Sequence, residues 1–364
     1  MTIQFDGTTG VSSVGSLTVN GDLAVSGSIN STNTFGFKNR IINGAMAVNQ
    51  YGTVPSGIGY PVDRFNTYGT QAGKISTGQN LNSIAPPVGF QSYVGVQSSS
   101  AFTPASSDFF GFAQAIEANN ISDFNFGTAN AVTVTLSFWV RSSLTGTFSG
   151  SFINYASTRS YPFTFVINAA NTWEQKLITI AGDTGGTWVL SGTGGGCKVL
   201  FDLGSGATNR GTANTWASTF YNGATGSVNL VGTSGATFYI TGVQLEKGSV
   251  ATGFDYRSYG TELAMCQRYY WRTQGTASAF PSVRGSSFAA TAEFGAAIPF
   301  PVQMRVTPTV NKNGTWAVAN CGQPAVTGVD MNGFFLVASG VGVGNAAFAP
   351  SGSTTYLDTS GAEL

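Results

Sequence analysis

Hydrophobic residues alternate with polar ones along most of the chain, in short runs separated by glycine, serine and asparagine. The clearest run covers residues 132–140, in which Val, Val, Leu, Phe and Val occupy the even positions. Alternation with a period of two predicts strands with one buried face, because successive side chains of a strand point to opposite faces. Several such runs between turns are typical of an antiparallel sandwich. The sequence therefore predicts an all-β fold with a jelly-roll-like β-sandwich over residues 35–258.

The alternation extends to two later stretches. In the first, the apolar positions assigned to the sandwich are Phe163, Val166, Leu177, Ile178 and Ile180. In the second, Gly242 interrupts an otherwise regular beat at Phe238, Ile240, Val243 and Leu245. One additional residue shifts the alternation by one position, so this stretch predicts a strand with a β-bulge. Residues 192–197, which are rich in glycine, are predicted as a loop.

The strand pattern gives way to a helix pattern after residue 258. Thr261 is a favoured N-cap residue, and residues 262–268 are almost the only run of good helix formers. We therefore predict one short linking helix and, across residues 259–364, a C-terminal β-rich tip domain whose strands are broken by prolines. Residues at helical spacing form one face of the helix, which we predict to be a hinge or trimer contact: Leu263, Cys266 and Tyr270.

The first 34 residues carry isolated apolar positions in a Ser/Gly/Thr/Asn background, with turns at Asn20-Gly21 and Ser26-Gly27. A ribbon with so narrow an apolar edge is marginal in water by itself. Three copies around an axis bury that edge, so residues 1–34 are predicted as an intertwined trimeric β-stem, with a solvated flexible leader as the alternative. The apolar positions of the stem are Leu17, Val19, Leu23, Val25 and Ile29.

Charge and composition narrow the classes of function. Sixteen acidic residues balance sixteen basic ones, and charged residues make up only 9% of the chain. Nucleic-acid binding requires a basic excess, which is absent here. No apolar stretch approaches the about 20 residues that cross a bilayer, so membrane insertion is not expected. A neutral, polar surface favours a protein that is part of an assembly.

The sequence contains no histidine, which removes the Ser-His-Asp and Cys-His nucleophilic sites and every histidine-containing metal site. Its three cysteines, Cys197, Cys266 and Cys321, lie far apart and are predicted to be buried thiols. No acidic loop resembles a calcium site, so neither a metal nor a cofactor is predicted. A carboxylate-pair glycosidase remains open in principle. Its candidates, each with a structural explanation that we favour, are Glu117, Glu174, Asp202, Glu246, Asp255 and Glu293.

Recognition by aromatic and polar surface groups is the remaining option. Sugars present apolar C–H faces rimmed by hydroxyls, so a sugar site needs an exposed Trp or Tyr beside polar side chains. Loops carried by a rigid scaffold are where such residues tend to lie. The predicted glycan contacts are Trp316, Asn320, Asn332 and Tyr356 in the tip, and Trp216 and Tyr221 near loops of the sandwich.

Several motifs in order give the chain a family resemblance. They are NRIINGAM (39–46), YPVDRF (60–65), LSFWVRSSLTGTF (136–148), NTWEQKLITIAGDTGGTW (171–188), LFDLGSG (200–206) and the GVQLE...GTEL..CQRYY signature within residues 238–272. Together they resemble the tail-fibre and receptor-binding proteins of tailed bacteriophages. The resemblance covers residues 39–272 and implies a jelly-roll body, a variable tip and a trimeric virion component.

The resemblance implies a tail-fibre or other external virion protein, made in the host cytoplasm, that adheres to host cell-surface polysaccharide by multivalent, non-catalytic binding. Residues 1–34 are then expected to contact other virion tail or baseplate proteins, and the chain is expected to be a homotrimer. A structural virion protein, such as a capsid-decorating or tail-assembly component, is the first alternative. A polysaccharide-degrading fibre is the second.

Overall fold

The computed structural model describes residues 38–52, 57–273, 281–351 and 354–364. The predicted stem, with Leu17, Val19, Leu23, Val25 and Ile29, lies outside the described residues and stays a prediction. Among the described residues no helix has the length and apolar character needed to span a membrane.

Thirteen strands lie between residues 59 and 247, which is the range predicted to form the sandwich. They are β1 (Gly59–Val62), β2 (Phe65–Gly69), β3 (Ile75–Gln79), β4 (Val94–Ser98), β5 (Phe109–Glu117), β6 (Val134–Ser142), β7 (Gly146–Asn154), β8 (Ser160–Ile167), β9 (Glu174–Ile180), β10 (Gly195–Ser205), β11 (Arg210–Gly211), β12 (Gly223–Ala224) and β13 (Thr237–Lys247). Short 3-10 helices cover Leu81–Ser83, Ala118–Phe124, Ala207–Asn209 and Leu230–Gly232.

These strands form two main sheets that face each other. One sheet has the order β1-β2-β5-β10-β7-β8 and the other has the order β3-β4-β13-β6-β9, while β11 and β12 form a small parallel pair. Phe138 of β6 meets Phe201 of β10 across the interior, with ring centroids 5.0 Å apart. Phe148 of β7 and Phe238 of β13 meet in the same way at 6.0 Å. The prediction of an all-β fold with a β-sandwich is confirmed.

Local details of the sandwich confirm some predictions and correct others. The bulge in β13 is present, since Gly242 has a φ of +62° and the pairing with β6 shifts between Thr241 and Gln244. Val166 and Leu177, predicted to continue the apolar pattern, are 48% and 59% exposed. A strand of this sandwich turns only one of its two faces to the core. On these two strands the core is filled instead by Phe165, Ile167, Ile178 and Ile180.

The glycine-rich segment 192–197 is only partly a loop. Its last three residues, Gly195–Cys197, belong to β10 and pair with β5 and β7. The loop prediction is therefore wrong for these three residues. Tight packing explains the exception, because side chains of neighbouring segments lie where a Cβ at Gly195 or Gly196 would stand.

The predicted linking helix is present as α1 (Tyr259–Gln267), but its N-cap is Ser258 and not Thr261. The Ser258 hydroxyl accepts a hydrogen bond from the Thr261 backbone N–H at 3.4 Å. Glu262 donates its backbone N–H to the Ser258 carbonyl, which makes the first turn helical. Both Ser258 and Thr261 are favoured cap residues, and the helix uses the earlier one.

The helix packs on the segment that precedes β1. Cys266 and Tyr269 form a small apolar cluster with Ile42 and Val48, and Leu263 packs at its edge. Cys266 is fully buried within the chain, so the prediction that it lies at a trimer contact is wrong. The hinge prediction is not tested by these contacts.

Among the residues described after the helix, eight strands define what we call the C-terminal β-region. They are β14 (Val283–Ser287), β15 (Glu293–Pro299), β16 (Thr309–Asn313), β17 (Trp316–Ala319), β18 (Ala325–Thr327), β19 (Gly333–Ser339), β20 (Gly344–Pro350) and β21 (Tyr356–Ser360). They pair as β14-β20-β17, β15-β19-β18 and β16-β21. A second core, separate from that of the sandwich, lies between these sheets.

The segment that joins α1 to the C-terminal β-region is held against the sandwich by a set of buried contacts. The ring of Tyr51 is stacked between Tyr60 of β1 and Tyr270, with ring centroids 4.9 Å and 3.7 Å away. The buried carboxylate of Glu117 accepts hydrogen bonds from Arg268 and from the Tyr269 hydroxyl, each at 2.9 Å. The predicted boundary at residue 258 is not tested by this arrangement.

Candidate functional site

The outer face of the six-stranded sheet carries a groove with a cavity volume of about 460 Å³. Its floor includes Ala113 of β5, Ile153 of β7 and Leu200 of β10, which are buried although they face away from the sandwich core. The neighbours of Leu200, Val199 and Phe201, face the core itself. The central strands are therefore apolar on both faces. An antiparallel sheet whose outer face meets only water usually carries polar side chains on that face.

Aromatic rings surround this floor. The ring of Phe109 contacts those of Tyr68 and Phe220, with centroid distances of 6.0 Å and 5.7 Å, and Tyr60 and Tyr155 also line the groove. The groove thus combines an apolar floor with five aromatic side chains at its sides.

Two glycines make room for two of these rings. A Cβ at Gly111 would stand 2.2 Å from the Tyr68 hydroxyl oxygen, and a Cβ at Gly195 would stand 2.1 Å from Cδ2 of Tyr155. Both distances are far shorter than a normal van der Waals contact of about 3.5–4.0 Å. Because Gly111 and Gly195 lack a Cβ, the rings of Tyr68 and Tyr155 can lie directly on the sheet.

A buried polar network fixes Tyr68 from below. Its hydroxyl donates a hydrogen bond to Oδ1 of Asn222 at 2.7 Å, and Nδ2 of Asn222 donates to Oδ1 of Asp202 at 3.1 Å. Asp202 is paired with Arg210 at 3.2 Å. Burial, and secondarily the Asp202 carboxylate, raises the pKa of the Tyr68 hydroxyl well above its ordinary value. Tyr68 therefore stays a neutral hydrogen-bonding group.

Two cationic side chains line the groove, and they differ in their partners. Arg64 forms an ion pair with Glu363, donates from Nη2 to the Ala115 carbonyl at 2.7 Å and lies 3.5 Å from the ring centroid of Tyr269. The ammonium of Lys198 lies 4.4 Å from the ring centroid of Tyr155. Burial lowers the pKa of Lys198. In the described parts of the chain, no carboxylate lies within 4.0 Å of this ammonium.

The glycan contacts predicted for the C-terminal β-region lie away from this groove. Trp316 is 1% exposed and packs against Phe348 in the second core, so its predicted role as a surface contact is wrong. Tyr356 is half-buried under Arg272, whose guanidinium carbon is 3.6 Å from the ring centroid. The Asn320 side chain donates to the Gly342 carbonyl at 3.3 Å.

Asn332 and the two predicted contacts from the sandwich loops are also outside the groove. The exposed Asn332 side chain accepts from Gln303 at 3.3 Å. Trp216 is half-buried against Trp188, and its indole N–H donates to the Ala181 carbonyl at 2.8 Å. Tyr221 lies over Gly211, where a Cβ would stand 2.3 Å from its ring. None of the six predicted residues lines the groove, and apart from Trp316 they stay predictions.

The groove residues themselves were not singled out from the sequence. The available signal was the apolar character of both faces in the central strands, as in Val199-Leu200-Phe201 and Phe152-Ile153. Alternation alone assigns such runs to the core, so it does not indicate that Leu200 and Ile153 form the floor of an open groove.

The six carboxylates considered for glycosidase chemistry also lie elsewhere, since no Asp or Glu is among the described residues that line the groove. Glu174 accepts hydrogen bonds from Asn168 and Ala169 and pairs with Lys176 at 2.6 Å. Burial opposes its ionisation, but the hydrogen bonds from Lys176, Ala169 and Asn168 outweigh that effect and lower its pKa to about 2. Glu174 therefore stabilises the turn between β8 and β9.

The other carboxylates are placed as follows. Glu117 and Asp202 are held in the buried contacts described above, and Glu246 accepts from Gln244 and Thr252 at 2.9 Å and 2.7 Å. Asp255 pairs with Arg257 at 3.5 Å, and Glu293 is exposed at the start of β15. No group of three or more His, Cys, Asp or Glu side chains suited to a metal ion occurs among the residues that the structure describes.

Comparisons with known proteins give structural similarities only. No family model matches the chain, and no curated protein matches it. Among solved structures, the chain is similar to the enzymatically active domain of bacteriophage CBA120 tailspike protein 4, with 12% identity over 57% of this chain and 21% of that chain and a TM-score of 0.31. This chain therefore spans about a fifth of that tailspike chain.

Two further similarities are to carbohydrate-binding modules. A family 11 module from Clostridium thermocellum, solved with a mixed-linked tetrasaccharide, is 10% identical over 52% of this chain and 91% of its own, with a TM-score of 0.27. The CBM22-1 xylan-binding domain from Paenibacillus barcinonensis is 9% identical over 59% and 99%, with a TM-score of 0.25. Similarities of this size do not indicate what this chain binds, so the groove must be judged by its own geometry.

Proposed function

We propose that this protein is a tail-fibre or receptor-binding protein of a tailed bacteriophage and that it adheres to host-surface polysaccharide through the groove on its six-stranded sheet. The single observation that carries the proposal is the aromatic groove with its apolar floor. The ordered motifs across residues 39–272 support the phage context.

The chemistry of the groove suits a sugar chain. Pyranose rings have apolar C–H faces, which pack on aromatic rings such as Tyr68 and Tyr155, and hydroxyl edges, which need donors and acceptors. Asn66 and Ser157 supply polar groups beside those rings. A predominantly apolar cleft with a few polar groups is the usual form of a small-ligand site.

The proposed binding is non-catalytic. A sugar chain in the groove meets no Asp or Glu among the described lining residues, whereas hydrolysis by the common mechanism requires two carboxyl groups on either side of the scissile bond. Adhesion gains strength instead from the predicted homotrimer, since three linked sites raise the overall avidity by about 10²–10⁴ without any new contact.

The experiment removes one groove ring and one matched ring elsewhere. Tyr155→Ala deletes an aromatic side of the groove, while Tyr259→Ala deletes a 60% exposed ring at the start of α1. Dissociation constants are measured for the full chain on a panel of bacterial surface polysaccharides. We expect Tyr155→Ala to weaken binding at least about tenfold and Tyr259→Ala to leave it unchanged.

Equal binding by the wild type and Tyr155→Ala would remove the groove from the proposal. If host-cell adsorption were also unaffected, the structural virion protein would become the better explanation. Release of reducing ends from a bound polysaccharide would favour the polysaccharide-degrading fibre.

A further inference from the structure

The charged side chains that line the groove are all cationic among the described residues. Its described lining contains Arg64 and Lys198 but no Asp or Glu. The charge of Arg64 is balanced by Glu363, and its guanidinium also donates to the Ala115 carbonyl. Among the described residues no carboxylate lies within 4.0 Å of the Lys198 ammonium, so its positive charge has no ion-pair partner.

The position of Lys198 makes this charge relevant to a ligand. Lys198 lies on β10 between Ala115 of β5 and Ile153 of β7, which are its register partners in the two neighbouring strands. The side chain thus rises from the middle of the floor, and its ammonium lies against the Tyr155 ring at 4.4 Å. A sugar ring packed on Tyr155 would bring its substituents close to this ammonium.

A half-buried ammonium without a counter-ion loses hydration and gains little in return. The Tyr155 ring compensates only in part, since a cation–π contact is weaker than pairing with an anion. An anion brought by the ligand would complete the compensation, because charge-assisted hydrogen bonds are roughly twice as strong as neutral ones. A neutral sugar would leave the ammonium without an anionic partner.

We propose that the groove selects an acidic polysaccharide, in which a sugar carboxylate pairs with Lys198 while the ring of that sugar packs on Tyr155. This inference rests on the proposed function, because it names the class of glycan for the same groove. The two statements can fail separately, since the aromatic groove can bind a glycan whose sugars are all neutral.

The test uses the full chain and three uronic-acid polysaccharides: polygalacturonate, alginate and hyaluronate. Each is compared with its own carboxyl-reduced form, which keeps the linkage and loses the charge. Lys198→Gln removes the ammonium at similar length, Lys198→Arg keeps a cation, and Lys312→Gln in β16 is the matched control outside the groove. Dissociation constants are measured at low and at physiological salt.

We expect at least one acidic polysaccharide to bind, and its affinity to fall about tenfold to a hundredfold on carboxyl reduction and by a similar factor in Lys198→Gln. Lys198→Arg should recover most of the loss and Lys312→Gln should show none. Salt should weaken wild-type binding more than that of Lys198→Gln.

Three outcomes overturn the inference: no acidic polysaccharide binds, the reduced forms bind equally well, or Lys198→Gln binds within about twofold of the wild type. If in any of these cases Tyr155→Ala still abolishes binding to a neutral polysaccharide, only the choice of an acidic glycan is refuted. If neither variant affects glycan binding, the proposed function fails with it.

Discussion

Gly195→Ala is the sharpest test of the groove, because it leaves every proposed contact residue in the sequence and changes only where one of them lies. A Cβ at this position would stand 2.1 Å from Cδ2 of Tyr155. The ring has to move by more than about 1 Å to restore a normal contact distance of about 3.5–4.0 Å. It then leaves the side of the groove and loses its present position over the Lys198 ammonium.

The expected size of the effect follows from the contacts that are lost. The Lys198–Tyr155 cation–π contact contributes about 0.5–1 kcal/mol at a partly exposed site, so the free energy of unfolding should fall by about 1 kcal/mol. Loss of the aromatic surface from the ligand should cost a further 0.5–1.5 kcal/mol of binding free energy, or roughly a 2- to 12-fold weaker dissociation constant.

Gly194→Ala is the matched control, since a Cβ at that adjacent residue meets nothing within 4 Å. Both variants are assayed by urea unfolding and by the dissociation constant for the polysaccharide that the wild type binds best. A Gly195→Ala protein that binds as tightly as the wild type would refute the role of the Tyr155 ring. Equal losses in the two variants would mean that the loop before β10, and not the ring, determines binding.

Two further predictions concern stability. Because the folded pKa of Glu174 is about 2, its ionised form stabilises the protein above the ordinary pKa, and this contribution is lost as the pH falls towards 2. Glu174→Gln should therefore lower the free energy of unfolding by about 1–3 kcal/mol at pH 7 and by much less at pH 2, as measured by urea titration at both pH values; equal losses would contradict the assignment. Arg268→Ala leaves the buried Glu117 carboxylate with the Tyr269 hydroxyl, and we expect a loss of about 2–3 kcal/mol, partly recovered in Arg268→Lys, in the same assay. A loss below about 0.5 kcal/mol would mean that water replaces the guanidinium.

The sandwich was predictable because its signal is local. Alternation at residues 132–140 identifies the strand β6, and the interrupted beat at Gly242 identifies the bulge in β13. The first residue of the helix was harder to predict, since Ser258 and Thr261 are chemically similar caps three residues apart. The inward face of an individual strand was also ambiguous where both faces carry apolar residues, as at Val166.

The groove could not be derived in the same way, because its walls come from strands that are distant in sequence and adjacent only through the sheet order. Tyr60 and Lys198 belong to β1 and β10, which are separated in the sheet by β2 and β5. The prediction that Trp316 is a surface contact was wrong for a different reason. Trp316 was predicted as a surface contact in a loop of the tip, but its burial is decided by the face that β17 turns towards the second core.

Residues on either side of the C-terminal β-region also support the groove, which changes how a truncation experiment should be interpreted. Arg64, at one side of the groove, is held by Glu363, and Tyr60 is stacked on Tyr51, which is stacked in turn on Tyr270. A chain that lacks residues 259–364 loses Glu363 and Tyr270. The guanidinium of Arg64 then has lost its counter-ion, and Tyr51, on which Tyr60 is stacked, has lost the Tyr270 ring. Loss of binding in such a chain therefore does not place the receptor contact in the C-terminal β-region. Point variants that keep these supports, such as Gly195→Ala and Lys198→Gln, distinguish a contact in the groove from a contact in the tip.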